Sequence, residues 1–171
     1  MNRAKPNAEM HCLFELQPCM RAVEFVVFEA SASALESSWP RQPGAMRRGV
    51  DGWPTVLHFA PGRWLVPEPD QALAALIAAA SVAGGSAIDV GGKWTAVTLR
   101  GGDSARVLAA TIDVDAVLEA RACAAVELFD CPALVASAEH GYRSYIKSSY
   151  AAAFRAALEL QGAKLAAQSA P

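Results

Sequence analysis

Charge of one sign is what this sequence has least of. Lys and Arg total 15 against 17 Asp and Glu, for a net charge of −2. No basic field is present to hold nucleic acid, which is therefore not expected as a partner. No apolar run reaches the roughly 18–20 residues that a membrane helix needs, so no membrane contact is expected either. The opening Met-Asn-Arg-Ala-Lys-Pro-Asn-Ala-Glu-Met-His is polar and has no signal-peptide core, and a cytoplasmic location is the expectation. Cysteine is scarce: Cys12, Cys19, Cys123 and Cys131 form no Cys-x-x-Cys pattern and read as reduced, small apolar side chains. The three histidines, His11, His58 and His140, offer no metal spacing. There is no Gly-x-Ser-x-Gly elbow. Gly84-Gly85 precedes a strand, and Gly101-Gly102 has neither a third glycine nor a following lysine, so neither makes a phosphate or dinucleotide loop. Asp113 and Asp115 lack the glycine and distal glutamate of a calcium loop. No catalytic, cofactor-binding or metal-binding residue is assigned.

What is present is a globular composition. Of 171 residues, 53% are apolar and 19% charged, enough for one full core and short for two. A single domain over 1–171 is expected, ordered from about 20 to 162, with flexible termini. The stretch Ala87 to Asp115 organises it. Ala87 to Asp89 and Trp94 to Arg100 read as a hairpin around Gly91-Gly92. Thr95, Val97 and Leu99 alternate with Trp94, Ala96, Thr98 and Arg100, the period of a strand. Gly101-Gly102 ends it, Asp103 is placed to cap a helix, and Ser104, Val107, Leu108 and Thr111 fall on one helical stripe.

Elsewhere, Ala22 to Phe28 reads as a strand, and Thr55–Phe59 with Arg63–Val66 as a hairpin around Ala60-Pro61-Gly62. Asp70 is an N-cap candidate for a helix burying Leu73, Leu76, Ile77 and Ala80 and stopped by Gly84-Gly85. Strands follow at Ala122–Leu128, Ala133–Ser137 and Tyr142–Lys147, with a turn at Asp130-Cys131-Pro132. Ser149 is placed to cap a last helix carrying Tyr150, Phe154, Ala157, Leu158 and Leu165 on one face. Single helices between hairpin-linked strands predict an α+β fold: antiparallel or mixed sheets covered by helices, in two similar, ferredoxin-like halves.

Three positions stand out as candidates. His58, inside a strand, reads as a hydrogen-bonded structural histidine. Asp89, an acid between apolar neighbours in a strand expected to be buried, reads as an acceptor for N–H groups of the following turn, or else as a functional carboxylate. The irregular stretch from Ser38 to Trp53 carries Trp39, Arg41, Arg47, Arg48 and Trp53, residue types that anchor protein interfaces. These five are the partner-contact candidates, on a loop expected to lie against another subunit and to be mobile alone.

Four segments resemble one family. Leu57-His58-Phe59-Ala60-Pro61-Gly62-Arg63-Trp64-Leu65-Val66 is similar to the Leu-Gly-Pro-x-x-Trp-Leu segment of the gamma subunit of heterotetrameric sarcosine oxidase, with Ala60 in place of glycine. Asp89-Val90-Gly91, Trp94 to Leu99, Gly101, Ala105 and Leu108 resemble its Asp-x-Ser hairpin and Gly-x-x-Ala-x-x-x-Leu turn, with Gly91 in place of serine. Ile112-Asp113-Val114 resembles its Asp-Leu segment, and Lys147-Ser148-Ser149-Tyr150-Ala151 its Arg-Ser-(Tyr/Phe)-Ala lead into the last helix. The expected Phe-Pro is absent, and Leu118-Glu119-Ala120-Arg121 stands there. The resemblance implies a fold like the folate-binding domain of the glycine-cleavage T-protein and the aminomethyltransferases. It also implies a non-catalytic role beside larger flavoprotein subunits that hold FAD, FMN, NAD and tetrahydrofolate and demethylate an amine. The acidic pair of the T-protein pattern is missing from Ala124 to Pro132, so no folate ligand carries over. The alternative is a stand-alone folate-binding or aminomethyltransferase-like protein.

Overall fold

The computed structural model describes residues 11–27, 39–40, 42–47, 55–69, 73–118 and 121–166. Two sheets stack face to face. The five-stranded sheet has the order β3-β4-β5-β2-β6, built from β2 (Ala22–Val26), β3 (Met46–Arg47), β4 (Val56–Ala60), β5 (Arg63–Pro67) and β6 (Ser86–Asp89). The six-stranded sheet has the order β11-β1-β7-β10-β9-β8. Its strands are β1 (Leu13–Pro18), β7 (Trp94–Arg100), β8 (Cys123–Leu128), β9 (Cys131–Ala138), β10 (Gly141–Lys147) and β11 (Lys164–Leu165). All pairings are antiparallel except β1 with β11.

Helix α1 (Leu73–Val82) covers the outer face of the five-stranded sheet. Helices α2 (Ser104–Leu108), α3 (Val114–Leu118) and α4 (Ala151–Leu160) cover that of the six-stranded sheet. Three apolar layers result. Phe25, Trp64, Val66 and Leu76 meet under α1. Leu57, Leu65, Trp94, Ala96, Leu134 and Tyr145 fill the space between the sheets. Phe14, Val97, Leu99, Ile146, Phe154 and Leu158 pack beneath α2–α4. The alternation along β7 divides it between two of these layers, so the strand is buried on both faces.

The α+β expectation holds, and so do the two halves. Each half contributes strands in the spatial order fourth-first-third-second of a ferredoxin-like unit: β6-β2-β5-β4 in the first and β11-β7-β10-β9 in the second. β3 and β8 extend them at equivalent edges, and β1 is inserted between β7 and β11. α1 and α4 occupy equivalent places in chain order. No repeat in the letters announces this, because a half needs only the same burial pattern.

Several local expectations are corrected. β6 and β7 are not a hairpin: β6 pairs with β2 in one sheet and β7 with β1 and β10 in the other. The turn through Gly91 carries the chain from sheet to sheet. A Cβ on Gly91 would stand 2.6 Å from the Met20 carbonyl oxygen, which explains glycine where the similar family has serine. β1 begins at Leu13 and β11 follows Gly162, so ordered structure extends beyond 20–162 at both ends. Asp103 makes no cap bond; its Oδ2 accepts from the His11 N–H at 2.7 Å. Asp113 is the capping acid, accepting from Ala116 N–H at 3.1 Å to start α3. The β8–β9 turn is Phe129-Asp130, both with positive φ as a two-residue hairpin turn requires, and Pro132 sits inside β9. α4 starts at Ala151 after a 3-10 turn, without a side-chain cap from Ser149; Phe154 and Leu158 are buried, Tyr150 is 37% exposed and Leu165 lies in β11. α1 ends as expected: Gly85 N–H reaches the Ala80 carbonyl and Gly84 N–H that of Ser81, with Gly84 at φ 68°. Asp70 lies outside the described residues.

Candidate functional site

The partner-contact candidates divide. Arg41, Arg48 and Trp53 lie outside the described residues. Arg47 is half-buried in β3. Trp39 is only 3% exposed: it meets Phe25 edge-on at 5.0 Å and Trp64 at 5.4 Å, under α1. Its ring is committed to this chain's own core and is removed from the set of contact anchors. Residues 42–47 are tied down as well, since Gly44 N–H donates to the His58 carbonyl at 2.7 Å and Cys123 N–H to that of Gly44 at 2.9 Å.

His58 is structural, but not as a hydrogen-bonded residue. It is buried and stacks on Trp64 at 4.4 Å, and neither ring nitrogen has a partner among the described residues. Burial lowers its pKa; the carbonyls of Ala60, Pro40 and Gln42 stand nearby and oppose the shift without hydrogen-bonding geometry. Trp64 Nε1 donates to the Pro40 carbonyl at 2.9 Å, which holds the ring stack in place. The four cysteines are free and buried, and burial pushes the Cys123 thiol up to about 11, leaving it a poor nucleophile.

The polar centre of the molecule is one that sequence reading does not single out. Glu24, 4% exposed on β2, faces the opposite sheet. Its carboxylate accepts from Trp94 Nε1 at 3.1 Å, Arg63 at 3.1 Å and Lys93 at 3.4 Å. Trp94 and Lys93 belong to the second half and Arg63 to the first, so the carboxylate joins the two. On the second contact between halves, Arg143 of β10 reaches Glu68 at 3.4 Å and lies over Tyr145 at 5.6 Å. Both carboxylates are held by cations, a structural arrangement, although Arg143 Nε is buried without a hydrogen-bond partner among the described residues.

Among the described residues, an unpartnered surface lies at β6 and α1. β6 is the outer strand of its sheet, and all four of its residues are exposed. Asp89 is thus on an exposed edge rather than in a buried strand; its Oδ1 accepts from Gly91 N–H at 2.9 Å, the turn role expected for it. α1 contains no charged residue. Leu76 and Ala80 face inward, but Ile77, expected inside, is 39% exposed and Val82 82%. Met20 (76%) continues this apolar surface, while Ile88 (48%), paired with Glu24, is exposed on the other face of β6. An open groove of about 290 Å³ runs between α1 and β6, walled by Met20, Arg21, Leu73, Ile77, Ala87 and Asp89.

The fold therefore defines a class: an α+β protein of two ferredoxin-like halves stacked sheet on sheet. The particular likeness is to a chain of the heterotetrameric sarcosine oxidase from Corynebacterium sp. U-96, solved with pyrrole 2-carboxylate. The TM-score is 0.68 at 18% identity, and the match covers 95% of this chain and 90% of that one. A structural-genomics protein from Agobacterium tumefaciens matches more loosely, with TM-score 0.42 and 10% identity over 94% and 96% of the two chains. No family model and no curated protein matches. Among the described residues, no helix is long and apolar enough to cross a membrane.

Proposed function

We propose that this chain is a small, non-catalytic subunit of an amine-oxidising flavoenzyme assembly of the heterotetrameric sarcosine oxidase type. In this reading it contributes by contact. Larger partner subunits hold FAD, FMN, NAD and tetrahydrofolate and carry out the demethylation in the cytoplasm. The observation that carries the proposal is the likeness in fold to a sarcosine oxidase chain, which spans nearly the whole of both chains and so compares one complete small fold with another. The four sequence segments that resemble the gamma subunit add to it. The buried carboxylate, Glu24, supports the same reading, because it is engaged in structural bonds from Trp94, Arg63 and Lys93.

The test has two arms. Calorimetric titration of the purified chain with tetrahydrofolate should give no saturable binding below the millimolar range. Co-expression with the flavoprotein subunits of such an oxidase should yield one size-exclusion peak containing all of them. Tight folate binding by a chain that stays apart from those subunits would replace this reading with a stand-alone folate protein.

A further inference from the structure

Backbone geometry shows which groups of β6 find no partner among the described residues. Val90 N–H donates to the Ala22 carbonyl at 2.8 Å, and the register pairs Val23 with Asp89, Glu24 with Ile88, Phe25 with Ala87 and Val26 with Ser86. In an antiparallel ladder alternate residues turn their N–H and C=O to the same side. Ser86 and Ile88 therefore bond to β2, and Ala87 and Asp89 turn theirs outward. On the other side of β2 the same alternation runs through Val27 and Arg21, which exchange bonds with Gly62 and Glu68 toward β5. The side chains of Ala87 and Asp89 lie on the α1 side, as do their cross-strand partners Phe25 and Val23, and both wall the groove.

Resting on the function proposed above, we infer that the β6 edge receives one extended segment of a larger partner subunit. The segment pairs with Ala87 and Asp89 as a sixth strand and sets a large apolar side chain into the groove under Ile77. Three observations carry this. Among the described residues the two halves are unequal at this edge: the second half has two strands beyond β7, namely β1 and β11, while the first has only β6 beyond β2. Edge strands of soluble proteins are commonly protected by charge, proline or a bulge; the four-residue Ser86-Ala87-Ile88-Asp89 has no lysine, proline or bulge, and its one charge, Asp89, is engaged by Gly91 N–H. The equivalent helix of the second half, α4, carries the Arg155–Glu159 ion pair at 2.9 Å on its exposed side, where α1 has Ile77, Val82, alanines and Ser81 and no charge. A second copy of this chain fits less well. Its own β6 would bring only Ala87 and Asp89 over the groove, too little to fill about 290 Å³. A strand bearing Leu, Phe or Met at that position fills it, and main-chain pairing supplies the remaining affinity.

The decisive variant is Ala87→Pro. It removes an outward N–H and leaves the bonds of Ser86 and Ile88 to β2 intact, a position where an edge strand accepts proline. Ile77→Asp places a charge in the groove wall without touching the core. Both are co-expressed with the flavoprotein subunits encoded in the same genome, and hydrogen exchange over residues 86–89 is followed in the free and assembled chain. The wild type should co-elute with those subunits and gain protection at 86–89. Each variant should melt like the wild type alone and lose about tenfold or more in affinity for the complex. Assembly of Ala87→Pro and Ile77→Asp at wild-type strength, or unchanged exchange at 86–89, overturns the inference while leaving the subunit role standing. A dimer of the chain alone that Ala87→Pro dissolves overturns it in favour of a second copy. A wild-type chain that never joins the flavoprotein subunits overturns the subunit role and this inference together. Should Ala87→Pro fail to fold, Ile77→Asp and the exchange measurement decide.

Discussion

Glu24 accepts three hydrogen bonds with almost no exposure, and two of its donors come from the other half. Arg63 and Lys93 are about half exposed, so they remain hydrated when the acid is removed, whereas Trp94 Nε1 is left buried without a partner. Glu24→Ala should therefore cost about 2–3 kcal/mol, mostly from that orphaned donor and the lost packing, and Glu24→Gln less, because an amide oxygen still accepts from Trp94. Urea unfolding curves of the two variants check the order. His58 gives a pH signature. Burial lowers its pKa in the folded chain below the ordinary value of 6.5. The unfolded chain then binds the proton more readily, so stability is full above pH 6.5 and falls as the pH drops below it toward the folded value. His58→Phe, which keeps a ring against Trp64, should flatten that part of the stability profile relative to the wild type. Equal slopes in the two proteins would mean that His58 is not buried neutral.

At the scale of elements, α1 shows how much a pattern can say. Its apolar residues leave the helix itself clear and its inward face ambiguous, since no charge marks the outer side. Leu76 is 1% exposed, so Leu76→Asp should unfold the protein or leave it insoluble, and Leu76→Ala should cost about 2–5 kcal/mol. Ile77→Asp, one residue on, should fold and stay within about 1 kcal/mol of the wild type, because Ile77 is exposed. Thermal melts of the pair distinguish the observed register from one that buries both. The same contrast runs through the strands. Alternation in Trp94–Arg100 announces β7, and the glycines announce the turns, because those signals are local. That β6 and β7 part into different sheets is not legible, since a strand's pattern does not name its neighbour. β1 escaped notice for a related reason: Leu13–Pro18 buries Phe14 well and leaves its other positions largely open, a weak signal beside a polar terminus. Glu24, inside Ala-Val-Glu-Phe-Val, has the alternation of an outward-facing charge and becomes central only when the second sheet is laid over it. The proposed contact surface is not legible in residue types. Trp39 has the composition of an anchor and the burial of a core residue, while the exposed surface of α1 and β6 is made of alanine, isoleucine and valine with Ser81, Ser86 and Asp89.

On the scale of the whole molecule, two units of like topology share an interior between their sheets. Their outer faces are closed by helices of unequal character: α4 carries an ion pair toward solvent, and α1 presents an uncharged surface beside an open strand. Under the function proposed above, exposed apolar surface of this kind is what the chain keeps for contact with its partners. The most direct test is the native mass of the assembly purified through a tag on this chain, from cells that also express the larger flavoprotein subunits. The account predicts a single species containing one copy of this 18.0 kDa chain together with those subunits and their visible flavin absorbance. A colourless species at 18.0 kDa, or at a small multiple of it, with the flavoprotein subunits migrating separately, would contradict it.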